Sequence, residues 1–141
     1  MNVTIRPVET SYVNQVWPHV KQYIDESQAK GLVSGVPDYN TDQILVYLVT
    51  GQWMLIVAAE ENGEIRGAMT LSFINYPMNR VAFVTAVGGK FIINKETLEQ
   101  LGSIAKYNGA TKIQAMARPS VERMLESCGF ESGNKLMEYR L

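Results

Sequence analysis

Residues 80–117, RVAFVTAVGGKFIINKETLEQLGSIAKYNGATKIQAMA, decide the fold. Arg80–Val87 is a nearly continuous apolar run of the kind found in the middle of a sheet, and it stops at Gly88-Gly89. Asn94 then caps a helix whose inward face is Leu98, Leu101, Ile104 and Ala105, with Ile93 and Leu98 placed as a hydrophobic staple. Asn108-Gly109 closes that helix, and Lys112–Ala117 is the next strand. A strand, a helix and a strand in one sheet make a crossover, which should be right-handed with its two strands parallel.

Upstream, Val3 and Ile5 alternate with Thr4 and Arg6 in a short strand closed by Pro7. Val13, Val16, Trp17, Val20 and Ile24 then share one face of a helix that opens near Thr10 or Ser11, and Pro18 predicts a kink or a break in it. Gly31 to Asn40 reads as a loop, Asn40 or Thr41 caps a second helix through Thr50, and Gly51 ends it. Met54–Ala59 and Ala68–Phe73 form a hairpin, for which Asn62-Gly63 predicts a type I′ turn.

Downstream, Pro119 or Ser120 opens a helix with Val121, Met124, Leu125 and Cys128 inward, Gly129 ends it, and Leu136–Leu141 alternates as a last strand. The predicted order is β, α, α, β, β, β, α, β, α, β, a mixed α/β sheet flanked by helices. Nothing resembles a linker or a repeat, so residues 1–141 are expected to form one domain.

Composition limits the chemistry. A chain of 141 residues hides roughly 65–70% of its unfolded surface, enough for a core without disulfides or a structural metal. Cys128 is the one cysteine and His19 the one histidine, so no intrachain disulfide and no Cys/His zinc cluster can be built. The N-terminus MNVTIRPVET lacks a signal-peptide pattern, and the apolar run Met54–Ala59 is too short to span a bilayer, so a cytoplasmic protein with no membrane partner is expected. Thirteen basic against 14 acidic residues argue against nucleic acid as a partner. The charge is unevenly placed, −4 over residues 1–70 and +3 over residues 71–141, which leaves room for a small anion in the second half.

The element order, the opening TIRPV, and the stretch from Arg118 to Glu131 that ends in Gly129-Phe130-Glu131 resemble the GCN5-related N-acetyltransferase (GNAT) superfamily. The resemblance implies a mostly antiparallel sheet of six to seven strands with about four helices, in which two central parallel strands, Arg80–Val87 and Lys112–Ala117, splay apart around acetyl-CoA. Thr85, Ala86 and Val87 would pair with the pantetheine arm, and Gly88, Gly89, Lys90, Asn94 and Arg118 would complete the cofactor site near a helix N-terminus. Asp38 and Tyr39 lie in the loop that commonly borders the acceptor, a small-molecule or protein amine that attacks the thioester directly.

The chain departs from the family pattern in places that matter for chemistry. The Gly-x-Gly/Ala phosphate loop is replaced by Gly88-Gly89-Lys90 followed by Phe91-Ile92-Ile93-Asn94, and Glu96 stands in the first helical turn. Leu125 occupies the position of the usual tyrosine acid, Arg118 replaces an asparagine, and Arg80–Val87 holds no carboxylate base. Tyr139, Ser120 and Cys128 remain as proton donors, with Tyr139 and Ser120 the catalytic candidates. Cys128 has no base beside it and fits core packing better. His19, on an amphipathic helix, is left out of the site.

These losses resemble a narrower group, the acetyltransferase-like proteins of short-tailed bacteriophages. That resemblance implies an alternative: a catalytically degenerate structural protein without a cofactor, associating with itself or with a virion partner, with Phe91 or Ile92 closing the groove.

Overall fold

A computed structural model of the chain describes residues 3–28, 37–89 and 93–141. Strand β1 is Val3–Val8, helix α1 Val13–Gln28, α2 Thr41–Val49, β2 Trp53–Glu60, β3 Ile65–Asn75, β4 Arg80–Gly89, α3 Lys95–Tyr107, β5 Lys112–Ala115 and α4 Pro119–Ser127. A 3-10 turn, Thr10–Tyr12, leads into α1. The strands lie in chain order in one sheet, antiparallel from β1 to β4 and parallel between β4 and β5.

The sheet has apolar layers on both faces, and for that reason β2 reads as an unbroken apolar run. On one face Leu55 and Val57 of β2, with Ala68 and Ala86, pack under Val13, Trp17, Val20 and Ile24 of α1 and Ile44 and Leu48 of α2. On the other, Ile56 and Ala58 join Val3, Ile5, Met69, Leu71 and Ala82 beneath Leu101 and Ala105 of α3. Capping fixes the helix starts. Asn40 and Gln43 form a capping box on α2, and Asn94 and Thr97 form another on α3.

Several expectations need correction. Of the two outcomes expected at Pro18, the break does not occur: α1 runs through it as one helix. The carbonyl that loses its usual donor there belongs to Asn14, an exposed residue in the first turn. The β2–β3 turn is not type I′: no non-glycine residue among those described has positive φ, while Gly63 has φ +85°. The Gly63 N–H donates to the Glu60 carbonyl at 2.9 Å, which makes Glu61-Asn62 the centre of a type I turn followed by a left-handed glycine. Strand β4 continues through Gly88 and Gly89, and β5 ends two residues early, at Ala115.

The largest difference is at the C-terminus, where Leu136–Leu141 forms no strand. The sheet therefore has five strands among the described residues instead of six to seven, and the parallel pair β4–β5 lies at its edge instead of its centre. Alternation gives a segment the capacity to be a strand, but a strand forms only when docked on a partner edge, and among the described residues Leu136–Leu141 pairs with none.

Candidate functional site

The opening between β4 and β5 is produced by register. The two strands pair from Val81–Lys112 to Val84–Ala115. Beyond that point β4 runs on through Thr85–Gly89, and among the described residues no strand pairs with this stretch on its β5 side.

A β-bulge sits where the strands part. On β3, Thr70 pairs with Ala86 and Leu71 with Val84, leaving Thr85 as the extra residue. One inserted residue inverts the alternation of β4: Ala82 and Val84 face α3, whereas Ala86 packs under α1 and Val87 faces α3. The Thr85 hydroxyl donates to the Thr70 carbonyl at 3.0 Å and lies 2.7 Å from the fully buried Thr70 hydroxyl, which ties the bulge to β3. Thr85, Ala86 and Val87 thus all lie on the open edge, with Ala86 buried and the other two half-buried. Thr70 was not singled out from the sequence, although a threonine inside the apolar strand Ala68–Phe73 is the signal for it.

Gly88 and Gly89 are explained by packing. A Cβ on Gly88 would lie 2.2 Å from the Tyr23 carbonyl oxygen, because α1 crosses directly over it. A Cβ on Gly89, whose φ is +113°, would lie 2.5 Å from the Arg66 carbonyl oxygen and 2.6 Å from the Gly67 Cα. Two internal neighbours, α1 and β3, therefore demand these glycines. Lys90, Phe91 and Ile92 lie outside the described residues. At the start of α3, Asn94 Oδ1 accepts the Thr97 N–H at 2.9 Å and the Asn94 N–H donates to Thr97 Oγ1 at 3.0 Å, so the capping box engages both amides.

Arg80 and Arg118 are carried by different elements, β4 and the start of α4. At the far end of β4, Arg80 donates to the Asn108 carbonyl at 3.0 Å and to Asn75 Oδ1 at 2.8 Å, with its guanidinium 4.7 Å from the Phe73 ring centre. Arg118 is exposed at the N-cap of α4 and makes no side-chain cap bond. The Arg66 pKa is raised above its ordinary value, chiefly by a 2.9 Å hydrogen bond to Glu60, and this pair belongs to the β2–β3 hairpin.

The candidate acids are dispersed. Ser120 is exposed in the first turn of α4, and Tyr139 is 88% exposed in the C-terminal segment. Among the described residues neither is hydrogen-bonded to β4. Leu125 is the buried residue of α4, and Cys128, expected on the inward face, is half-buried. Among the described residues no group of three or more His, Cys, Asp or Glu side chains could hold a metal ion. No helix among them is long and apolar enough to cross a membrane.

Asp38 and Tyr39 line an open cleft of about 350 Å³ with Gln43, Val46 and Tyr47. Tyr39 meets Tyr47 and Trp53 edge-on at 5.9 and 5.0 Å, and Tyr47 stacks on Trp53 at 4.7 Å. The sequence reading missed Tyr47 and Trp53, whose signal is two aromatics on either side of the Gly51 helix end. A second open cleft, between Pro18, His19 and Gln22 of α1 and Gly63–Ile65, contains the exposed His19.

The fold as a whole recurs in solved structures. An aminoglycoside acetyltransferase from an uncultured soil metagenomic sample, in complex with sisomicin, matches with a TM-score of 0.70 at 11% identity, covering 99% of this chain and 95% of that one. This is the GNAT fold. A predicted acetyltransferase with acetyl-CoA from Clostridium acetobutylicum matches at TM-score 0.65 and 17% identity, over 99% of this chain and 96% of that one. Glucosamine-6-phosphate N-acetyltransferase from Arabidopsis thaliana matches at TM-score 0.65 and 13% identity, over 99% of both chains. No family model and no curated protein matches the sequence. At these identities the likeness concerns the GNAT fold alone, and the residues that do chemistry must be argued from this chain.

Proposed function

We propose that the chain is an acyl-CoA-dependent N-acyltransferase that passes an acetyl group from acetyl-CoA to an amine by direct attack. The observation that carries this reading is the open edge of β4 from Thr85 to Gly89, beginning at the bulge. The amides of a pantetheine arm can add to such an edge as another strand would. Acetyl-CoA supplies the activated acyl group. Backbone groups of Thr85, Ala86 and Val87 hold and orient it, and an N–H near Val87 polarises the thioester carbonyl. The amine nitrogen bonds to that carbon as the C–S bond breaks, the amine proton passes to water, and the departing thiolate takes a proton from water. Water serves because Leu125 cannot donate and because Tyr139 and Ser120 are exposed and unattached to β4.

The fit of the nucleotide end is narrower. Gly88 and Gly89 are filled by α1 and β3, so pyrophosphate contacts are assigned to Lys90, Arg118 and the start of α3 at Asn94. The acceptor, a small-molecule or protein amine, is placed at the Asp38–Tyr39 cleft. A carboxylate and aromatic edges and faces suit an ammonium group before it loses its proton. A cytoplasmic setting, where acetyl-CoA is made and used, fits this reading.

Titration calorimetry with acetyl-CoA, followed by mass spectrometry of an amine panel, tests the proposal. Saturable binding and acetylated product are expected, and no binding at millimolar acetyl-CoA overturns it. The buried Leu125, with both other donors exposed, favours one second reading: a degenerate GNAT-fold binding or structural protein, such as a virion component. Binding of acetyl-CoA without turnover of any amine selects a degenerate binder, and absence of both selects a structural role.

A further inference from the structure

Among the described residues Thr70 is the one fully buried polar side chain of the sheet. It stands in β3 between its two cross-strand partners, Leu55 of β2 and Ala86 of β4. Its contact with Thr85 has a direction. A hydroxyl carries one proton, and Thr85 gives its own to the Thr70 carbonyl at 3.0 Å, so across the 2.7 Å between the hydroxyls Thr70 donates and Thr85 accepts. Two atoms of one residue thus hold the side chain of Thr85, and Thr85 is the extra residue of the bulge.

The remaining side chains of β4 do not say where that bulge belongs. Val81–Val87 is uncharged and, apart from Thr85, apolar, and both faces of the strand lie under apolar layers. In a strand that alternates apolar with polar residues a slip carries the wrong set to solvent, which specifies register. In β4 a slip exchanges one apolar residue for another. The two hydroxyls supply the missing specification. Moving the extra residue one place toward Val84 turns Thr85 to the α3 face and leaves the Thr70 hydroxyl buried without a partner. Moving it one place the other way makes Thr85 a regular ladder partner of Thr70. In a regular pair side chains stand out of the sheet while carbonyls lie in its plane, so the bond to the Thr70 carbonyl is lost.

We propose that Thr70 is a positioning residue for the open edge: its hydroxyl and carbonyl together fix the bulge at Thr85 and so decide which amides of β4 face outward. Successive residues of a strand direct their N–H and C=O groups to opposite edges, so every residue between an old and a new bulge position exchanges edges. An N–H that faced a ligand would then face β3. The role toward a ligand rests on the acetyl-CoA reading above, whereas the hold of Thr70 on the bulge does not.

Nuclear magnetic resonance of the isotope-labelled full chain tests this, because cross-strand Hα–Hα contacts between β3 and β4 identify the unpaired residue. The parent and Thr70→Ser, which keeps both hydroxyls, should show Thr85 unpaired. Thr70→Val/Thr85→Val removes both hydroxyls and leaves neither without a partner, so it should remain folded. Its contacts over Val84–Val87 should move by one residue or appear as two sets, and Thr70→Val/Thr85→Ala is an independent second variant. In calorimetry the acetyl-CoA dissociation constant should rise at least about 10-fold in both double variants and stay within about 2-fold of the parent in Thr70→Ser, since misplaced positioning groups cost that much or more. A single set of contacts with Thr85 still unpaired in both double variants overturns the proposal, because a merely structural pair lowers the melting temperature without moving the ladder. So does a variant whose ladder has moved and which binds acetyl-CoA as tightly as the parent. A parent that binds no acetyl-CoA is a separate failure, that of the acyltransferase reading, and the ladder contacts then decide alone whether Thr70 sets the bulge.

Discussion

Alanine at position 88 separates a glycine kept for packing from one kept for a ligand. A Cβ there would meet Tyr23 backbone at three points, its carbonyl oxygen at 2.2 Å, its carbonyl carbon at 2.8 Å and its Cα at 3.0 Å. The obstacle is main chain and cannot swing aside. Helix α1 is held on either side of Tyr23 by the fully buried Val20 and Ile24, and the Tyr23 hydroxyl donates to the Ile65 carbonyl at 3.2 Å. Relief therefore requires α1 to lift off β4 or the end of β4 to bend, and either loosens the layer in which Ala86 is buried. Overpacking costs about 1–3 kcal/mol, and a rigid obstacle places Gly88→Ala near the upper figure. At about 4 °C per kcal/mol for a domain of this size, the melting temperature should fall by about 10 °C in scanning calorimetry. Gly102→Ala is the control. It lies within α3 with nothing inside 4 Å of the added Cβ, so removing a helical glycine there should stabilise by about 0.5–1 kcal/mol. A Gly88→Ala protein that melts within about 2 °C of the parent refutes the close approach of α1. If that protein had also lost acetyl-CoA binding, Gly88 would belong to the ligand.

The bulge has its own test. Thr85→Val removes the partner of the buried Thr70 hydroxyl and should cost about 1–3 kcal/mol in urea denaturation, whereas Thr70→Val/Thr85→Val should cost less than the two single changes together. An additive pair would mean that the two hydroxyls are not coupled. At the β2–β3 turn, Gly63→Ala forces a side chain into φ +85° with no steric contact, so its cost of about 1–2 kcal/mol is conformational and Gly63→Asn should lose less; equal melting temperatures would contradict the left-handed turn.

What was legible in the sequence was what neighbouring residues decide among themselves. The Asn40 and Asn94 caps, the inward stripes of α1 and α3 and the alternation of β1 are local patterns, and each led to an element within a few residues of its observed bounds. What was not legible depends on distant partners. Asn62-Gly63 has the composition of one turn and adopts another, because the hairpin register adds a residue to the loop between Glu60 and Glu64. Leu136–Leu141 has the pattern of a strand but pairs with no strand edge among the described residues. The resemblance puts Gly88-Gly89 in a cofactor site, yet the atoms that crowd those glycines belong to Tyr23, 65 positions upstream of Gly88, and to Arg66 and Gly67.

The candidate site shows the same division. The GNAT resemblance put Thr85, Ala86 and Val87 on the ligand-facing strand, and all three lie on the open edge, but no residue chemistry in that run announces an opening. The edge exists because β5 pairs with β4 only as far as Ala115 while β4 runs on, and the supernumerary Thr85 lies at that point; both are relations between strands. The extra residue turns Ala86 under α1 and anchors β4 to Thr70 at the point where β5 departs. Where a site is built from backbone edges, substituting its side chains should alter affinity less than changing register. Deleting Thr85 should therefore do more harm to binding at this edge than replacing it.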